Sequence, residues 1–163
     1  MKLYLAQHGE ALGKEEDPGR PLSEQGRRDV EAIAALAAQA GTRVARVWHS
    51  GKLRAEQTAQ ILAKAMLPRG RPETIGGINP KDPVGEFIAD ADVWLEDTLV
   101  VGHLPFMSKL VSRLLLGDED REPVRYCPGS MACLERSADG EWVLLWMLRP
   151  DAVGTRPAGG DTP

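Results

Sequence analysis

Residues 2–10 read KLYLAQHGE, a short run of mainly apolar residues that ends in a glutamine, a histidine and a glycine. The apolar part, Lys2–Ala6, predicts a first β-strand. The same arrangement occurs twice more, because the apolar segments Val44–Trp48 and Thr98–Val101 are also followed within two residues by a histidine. Three predicted strands therefore each end next to a histidine.

Segments with helical spacing alternate with these strands. Ser23 has the properties of a helix N-cap, and the apolar residues after it recur at helical spacing up to Gly41, which is suited to end a helix. The connection from Pro68 to Pro83 is long and rich in proline and glycine. The other predicted elements are helices at Leu53–Met66, Val84–Ala91 and Met107–Leu114 (ending at Gly117), and strands at Met131–Arg136 and Glu141–Leu148.

This alternation of strands and helices predicts an α/β fold. We expect a three-layer sandwich, in which a mostly parallel central sheet has helices on both of its faces. Residues 1–150 are expected to form one domain, and residues 151–163 a flexible tail. Ligands of such sheets bind beyond the carboxyl ends of the strands, so we expect His8, His49 and His103 together on one edge.

The composition restricts the class of protein. With 163 residues, the chain has room for one ordinary domain. Its 20 basic and 24 acidic residues give a net charge of −4, which excludes a uniformly basic nucleic-acid-binding protein. The longest apolar run is Trp142–Leu148, whereas a membrane span needs about 20 apolar residues. We therefore expect a cytoplasmic, monomeric protein that binds neither nucleic acid nor membranes.

Three side chains near the predicted edge are suited to binding an anion. His8 precedes a glycine, which lets the backbone turn sharply and approach a ligand. His103 stands at a strand-to-helix junction, where a helix N-terminus favours a bound anion. Arg54 stands at the start of a predicted helix. Taken alone, each of these residues is more often an ordinary turn histidine or a solvated surface arginine.

Taken together, four short motifs are more specific than any one residue. In chain order they are LAQHGE at 5–10, RPLS at 20–23, Ser50 followed by RAEQTA at 54–59, and VGH at 101–103. Over roughly residues 1 to 150, the sequence resembles the histidine phosphatase superfamily, which is also called phosphoglycerate-mutase-like. Within it, the chain looks like the short SixA-type phosphohistidine phosphatases.

The resemblance implies a mechanism and roles for three residues. His8 would attack phosphorus and carry a phosphohistidine intermediate, which requires a neutral imidazole. Arg54 would grip the phosphoryl oxygens with its fork of donors, and His103 would stabilise the charge of the transition state. Water would then hydrolyse the intermediate. Because protein cations supply the positive charge, the resemblance implies neither a metal nor a cofactor.

One residue departs from the family pattern. The family has Arg-His-Gly where this chain has Gln7-His8-Gly9, so a phosphate-binding cation is replaced by a neutral amide. We expect Gln7 to contact phosphate nevertheless. Arg20, which the resemblance places beside the site, and His49 are further candidate phosphate contacts, and Lys52 is another source of compensating charge.

The sequence leaves the general acid open. Larger members of the superfamily protonate an alcohol leaving group with a carboxylate. Glu10 is the candidate nearest to His8, and Asp82 and Glu86 lie farther along the chain. A phosphohistidine substrate needs such an acid less, because its leaving imidazole, with an ordinary pKa near 6.5, is a weak base. We therefore expect a phosphoramidate in preference to an alkyl phosphate.

The expected partner is a phosphorylated protein, such as a histidine-phosphotransfer domain, or a small phosphorylated molecule. Two alternatives remain open. Gln7 would also suit a weak or inactive member that only binds phosphate or phosphoprotein, and the same residues would suit a small-molecule phosphomonoesterase. A mutase fits less well, because a short chain leaves little for a lid that shields the phosphoenzyme from water.

Other phosphatase chemistries do not fit the sequence. A cysteine-based phosphatase needs an arginine six positions after the cysteine, but Cys127 and Cys133 are followed at that distance by Cys133 and Asp139. The sequence has neither a P-loop nor a Gly-x-Ser-x-Gly motif. Asp90–Val93 imitates an aspartate motif of magnesium-dependent haloacid-dehalogenase-like phosphatases, but its first Asp ends a predicted helix past mid-chain, whereas in that family it ends an early strand.

Overall fold

A computed structural model describes residues 1–154 of the chain. Its strands are β1 Lys2–Gln7, β2 Arg46–His49, β3 Glu73–Thr74, β4 Thr98–Gly102, β5 Met131–Arg136 and β6 Trp142–Leu148. Its helices are α1 Glu24–Gln39, α2 Leu53–Met66, α3 Val84–Ala91 and α4 Phe106–Leu116. Of the predicted tail, residues 155–163 lie outside the described residues, and a short 3-10 helix covers Pro150–Ala152.

The six strands form one sheet in the order β3-β2-β4-β1-β5-β6. The neighbours from β3 to β1 are parallel, whereas β5 and β6 are added antiparallel. The prediction of a mostly parallel sheet is thus confirmed. Because β1, β2 and β4 are parallel, their carboxyl ends meet at one edge of the sheet.

Each face of the sheet is covered by a pair of helices, which confirms the three-layer sandwich. On one face, small residues of α1 and α2 such as Ala37 and Ala59 pack closely with Tyr4 of β1. On the other face, larger residues of α3 and α4 such as Phe87 and Phe106 pack with the opposite side of the same strands. Fully burying such a side chain contributes about 1.5–3 kcal/mol, so both layers hold the sheet edge in place. No helix within residues 1–154 is both long and apolar enough to cross a bilayer.

The helix ends follow local sequence signals. Ser23 caps α1 as predicted, because its hydroxyl accepts a hydrogen bond from the Gly26 amide at 2.9 Å. Gly117 ends α4 with a positive φ of 70°, a conformation that glycine adopts without strain.

The main difference from the predicted elements lies in β2, which begins at Arg46 rather than at Val44. The amide of Val44 donates to the carbonyl of Met66 instead of joining the sheet.

Candidate active site

The carboxyl ends of β1 and β4 bring two of the predicted histidines together. Gln7 pairs with Gly102 in the parallel ladder, and the amide of His8 donates to the Gly102 carbonyl at 3.0 Å. Just beyond this pair, the rings of His8 and His103 lie 4.9 Å apart between their centroids. The edge of the sheet therefore brings two imidazoles, 95 residues apart in sequence, side by side with their planes tilted by 55°.

The hydrogen bonds of His8 define which of its ring nitrogens is free to react. Nδ1 lies 2.7 Å from the carbonyl oxygen of Gly9, and a carbonyl only accepts, so Nδ1 carries the proton. Nε2 of the neutral ring then carries a lone pair. Arg54 Nε donates to that lone pair at 3.2 Å. The arrangement holds a neutral imidazole with its nucleophilic nitrogen directed at a guanidinium.

The protonation state of both histidines follows from their surroundings. Burial lowers the pKa of His8 to about 4, against the opposing effect of the Gly9 hydrogen bond and with a smaller contribution from Arg54 and Arg20. Burial also lowers the pKa of His103 to about 3, helped by His8, Arg54 and Lys52. Both rings are therefore neutral at neutral pH, as nucleophilic attack by His8 requires.

We expect this neutrality to be visible in solution. In an NMR titration, the His8 ring should remain neutral as the pH falls through 6.5 and should take up a proton only near pH 4. The kcat/KM should fall in the same low range, because protonation removes the Nε2 lone pair. If the His8 resonances shift with a midpoint near pH 6.5, the ring is exposed to solvent and is not held in the buried, neutral form.

Three cationic side chains surround the two histidines. Arg54 lies in the first turn of α2 and is half-buried. Arg20, with a φ of 49°, donates from Nε to the carbonyl of Leu12 at 3.2 Å, and its charge lowers the pKa values of both His8 and Arg54. Lys52 immediately precedes α2, and its charge acts on His103. The site is thus electropositive although the whole chain has a net charge of −4.

Ser50 belongs to the site, although sequence reasoning assigned it no role. Its hydroxyl lies 2.5 Å from Nε2 of His103, so it orients that ring. Nδ1 of His103 is buried and has no hydrogen-bond partner among residues 1–154. The signal for Ser50 was its position before the RAEQTA motif, but its contact with His103 spans 53 residues and depends on the order of the strands.

Gln7, the last residue of β1, directly precedes His8 and is 7% exposed. Its backbone is held on both sides, since its amide donates to the Ser130 carbonyl at 3.0 Å and its Cα pairs with that of Gly102. Its Oε1 is buried and has no partner in the described part of the chain. Rotating the terminal amide of Gln7 would place its NH₂ group where Oε1 now lies. That group can donate a hydrogen bond to an anion, but it carries no charge.

Two predicted site residues are placed differently from the others. His49 is the last residue of β2, and its Nδ1 accepts a hydrogen bond from the Gly51 amide at 3.1 Å. Between residues 1 and 154 the structure shows no hydrogen bond or ring contact from it to His8, Arg54 or His103. Its role as a phosphate contact therefore remains a prediction that the geometry does not support.

Glu10, the candidate general acid nearest to His8, is engaged at the start of α1. Its Oε1 accepts a hydrogen bond from the Ser23 hydroxyl at 3.0 Å, and its carbonyl accepts one from the Ser23 amide at 2.9 Å. These bonds tie the carboxylate to the helix cap. Its role as an acid remains a prediction.

The end of the RAEQT motif holds the backbone of the site. The hydroxyl of Thr58 accepts a hydrogen bond from the Gly9 amide at 3.0 Å and donates to the Arg54 carbonyl at 2.7 Å. Gln57 accepts a hydrogen bond from the Leu22 amide at 2.7 Å and so fixes the segment that follows Arg20. The motif thus supplies one side chain to the site and two that position its loops.

Thr58→Val tests this positioning role with almost unchanged volume. We expect kcat to fall about tenfold and the free energy of unfolding to fall by about 1–3 kcal/mol, because the buried Gly9 amide loses its acceptor. Steady-state kinetics and urea unfolding measure the two effects. Thr58→Ser, which keeps the hydroxyl, should recover most of the activity. If Thr58→Ser is as inactive as Thr58→Val, the activity depends on the packing of the Thr58 side chain and not on its hydrogen bond.

Comparisons with known proteins agree with this geometry. The model of the histidine phosphatase superfamily, branch 1, matches residues 3–72. An uncharacterized protein of Picosynechococcus sp., SYNPCC7002_A2622, is 32% identical over 124 residues, which cover 72% of this chain and 74% of that protein. The phosphohistidine phosphatase SixA of Escherichia coli is 25% identical over 155 residues, 92% of this chain and 94% of SixA.

Solved structures support the same grouping. The protein histidine phosphatase SixA complexed with tungstate superposes with a TM-score of 0.82 at 25% identity, over 94% of this chain and 99% of SixA. Phosphoglycerate mutase from Plasmodium falciparum shares the fold, with a TM-score of 0.64 at 19% identity over 88% of this chain and 87% of the mutase. The chain therefore belongs to the histidine phosphatase superfamily, and SixA is among the members that it is similar to.

Proposed function

We propose that the protein hydrolyses phosphohistidine, or another phosphoramidate, through a covalent intermediate on His8. The observation that carries this proposal is the neutral His8 ring, whose Nε2 lone pair accepts a hydrogen bond from Arg54 at 3.2 Å. A phosphoryl group bound by Arg54 would be held next to that nitrogen. The similarity to a phosphohistidine phosphatase supports the choice of substrate.

The first step transfers the phosphoryl group to His8. Nε2 forms a bond to phosphorus, and the phosphorus–nitrogen bond of the substrate breaks, with its electron pair leaving on the substrate's nitrogen. The phosphorylated His8 ring gains positive charge, which its Nδ1–H shares with the Gly9 carbonyl. In the second step water attacks phosphorus, the electron pair returns to Nε2, and inorganic phosphate carries the proton away.

The cations of the site supply the charge that this transfer needs. The charges of Arg54 and Arg20 act on His8, and that of Lys52 acts on His103. Preorganised donors of this kind stabilise the charge that develops in the transition state. We therefore propose a reaction that needs no divalent cation and that is unchanged by EDTA.

The leaving group explains why a phosphoramidate suits this site. Glu10, bonded to Ser23, lies at the cap of α1. A leaving imidazole is a far weaker base than an alkoxide and departs without strong acid assistance. The natural substrate would be a phosphorylated protein, such as a histidine-phosphotransfer domain, or a small phosphorylated molecule, met by a monomeric enzyme in the cytoplasm.

Trapping the intermediate tests the proposal. The protein is mixed with a phosphohistidine peptide or phosphoramidate, quenched in alkali, and the peptide that contains His8 is examined by mass spectrometry. We expect phosphate on His8, together with steady release of inorganic phosphate in the presence of EDTA. An unmodified His8 under turnover would reject the covalent mechanism.

Gln7 supports a second candidate function. With a neutral amide in place of the family's arginine, the site has less charge with which to stabilise a transition state, and a member that binds phosphoprotein without turnover is the alternative. The same experiment separates the two, because a binding protein would take up phosphate or tungstate and leave His8 unmodified. Faster turnover of alkyl phosphates than of phosphoramidates would instead indicate a small-molecule phosphomonoesterase.

A further inference from the structure

A cleft of about 500 Å³ opens between β2, α3 and the segment after β3, and one end of it lies near the carboxyl end of β2. Trp48 of β2 lines it, two residues before Ser50, which contacts His103. Ile75 lines the opposite wall, and its amide donates to the carbonyl of His49 at 2.9 Å. One end of the cleft therefore adjoins the end of β2, and the chain continues from there to Ser50 of the active site.

The aromatic side chains of the cleft are suited to a cation. The rings of Trp48 and Trp94 meet edge to face with centroids 4.9 Å apart, and Phe87 packs on Trp94 at 5.3 Å. The guanidinium of Arg46, which does not line the cleft, already lies 4.7 Å from the Trp48 ring and 5.5 Å from that of Trp94. This tryptophan pair thus holds one guanidinium of the chain itself, and its rings also line the open cleft.

Charge points to the same kind of ligand. Residues 82–97 contain six acidic and no basic residues, and without those six charges the net charge of the chain would be +2 instead of −4. Glu96 pairs with Arg46 at 3.8 Å, and Asp97 accepts a hydrogen bond from the Lys2 amide. Glu86 and Asp90 line the cleft, are exposed, and form no salt bridge with any residue that the structure describes. Two carboxylates without a salt bridge among the described residues therefore line the same cleft as the aromatic rings.

The wall that carries these carboxylates is anchored to the sheet. The guanidinium of Arg136 on β5 donates to three carbonyls at and just beyond the end of α3, those of Ala91, Asp92 and Trp94. It also lies over the Trp142 ring at 5.9 Å. Such bonds hold Asp90 and Trp94 in place before a ligand arrives, so the cleft needs little ordering on binding.

We propose that this cleft binds an arginine or lysine side chain of a phosphorylated protein substrate while the phosphoryl group lies at His8. The proposal rests on the function proposed above and names the substrate class. An electropositive pocket for a phosphoryl group beside an acidic, aromatic cleft is complementary to a polypeptide that carries both charges. Val93, which lines the cleft and is 76% exposed, adds apolar surface there. An isolated phosphoramidate would leave all of this surface unused.

Phosphohistidine peptides with a single arginine test the proposal. The arginine is moved through successive positions on either side of the phosphohistidine in an otherwise alanine-based peptide. We expect at least one position to lower KM about tenfold relative to the all-alanine peptide, with kcat unchanged. Asp90→Lys should abolish that advantage and leave the turnover of a small phosphoramidate unchanged.

Asp92→Lys is the matched control. Asp92, the residue directly after α3, is also exposed and does not line the cleft. This variant should keep the preference for arginine. If every arginine peptide has the KM of the alanine peptide, or if Asp90→Lys keeps the preference, the proposal is wrong.

A binding measurement keeps this test independent of catalysis. The dissociation constants of the same peptides with a non-hydrolysable phosphohistidine analogue are measured by calorimetry and by the fluorescence of Trp48 and Trp94. A preference for arginine that is lost in Asp90→Lys supports the cleft even if the protein turns over no phosphoramidate. If the arginine and alanine peptides bind with equal affinity while the protein does turn over phosphoramidate, the arginine-binding role of the cleft is wrong and the proposed phosphatase activity stands.

Discussion

His8→Ala is expected to abolish phosphoryl transfer, with a fall in kcat on the order of 10⁴- to 10⁶-fold. Removing the nucleophile of a covalent mechanism leaves only the residual effect of the surrounding charges, which is why the loss is of this size. The Nε2 atom of His8 carries a lone pair that accepts a hydrogen bond from the Arg54 guanidinium, at 3.2 Å. No phosphorylated peptide should be trapped in this variant.

The fold should survive this change. The backbone of His8 is held from both sides, by its own amide on the Gly102 carbonyl and by the Gly129 amide on its carbonyl, and alanine keeps both bonds. Circular dichroism and tungstate binding serve as controls, since Arg54 remains. His8→Gln, which keeps a polar side chain, should be equally inactive. Release of phosphate by either variant at a rate near that of the wild type would mean that another residue is the nucleophile.

Much of the sheet was predictable because its central strands are buried. Thr98–Val101 is recognised by composition alone, since both faces of β4 are covered and the strand needs no alternation of polar residues. The histidines after β1 and β4 followed from the rule that parallel strands end at a common edge. Arg54 at the start of α2 was also placed correctly, because helix starts have local signals.

The remainder depended on contacts that local signals do not carry. The strand β3 has two residues and lies in a connection rich in proline and glycine, so its pairing with β2 had no pattern of its own. His49 lies within β2 rather than beyond it, because the strand ends one residue later than the predicted Trp48. The contacts of Thr58 with Gly9 and of Ser50 with His103 span 49 and 53 residues and arise from packing.

Arg54→Ala should produce the second large effect, a fall in kcat/KM of about 10³-fold. Arg54 acts in two ways that the structure allows to be separated. Its guanidinium would hold the phosphoryl oxygens in line with His8, and its charge also lowers the pKa of His8. Burial is the larger cause of the lowered pKa, and it persists in the variant. The pKa of His8 should therefore rise only partly towards 6.5.

The pH dependence separates these two roles. At pH 8 the His8 ring is neutral in both proteins, so a loss that came only from protonation would vanish there, whereas a loss of phosphoryl binding would remain. We expect the 10³-fold loss to remain at pH 8, and Arg54→Lys to restore only part of it, because an ammonium keeps the charge and lacks the planar fork. Arg27→Ala, an exposed arginine on α1, is the control and should match the wild type. If the kcat/KM of Arg54→Ala recovers at high pH, Arg54 acts by keeping His8 unprotonated. The phosphoryl group would then be bound by other cations, Arg20 and Lys52.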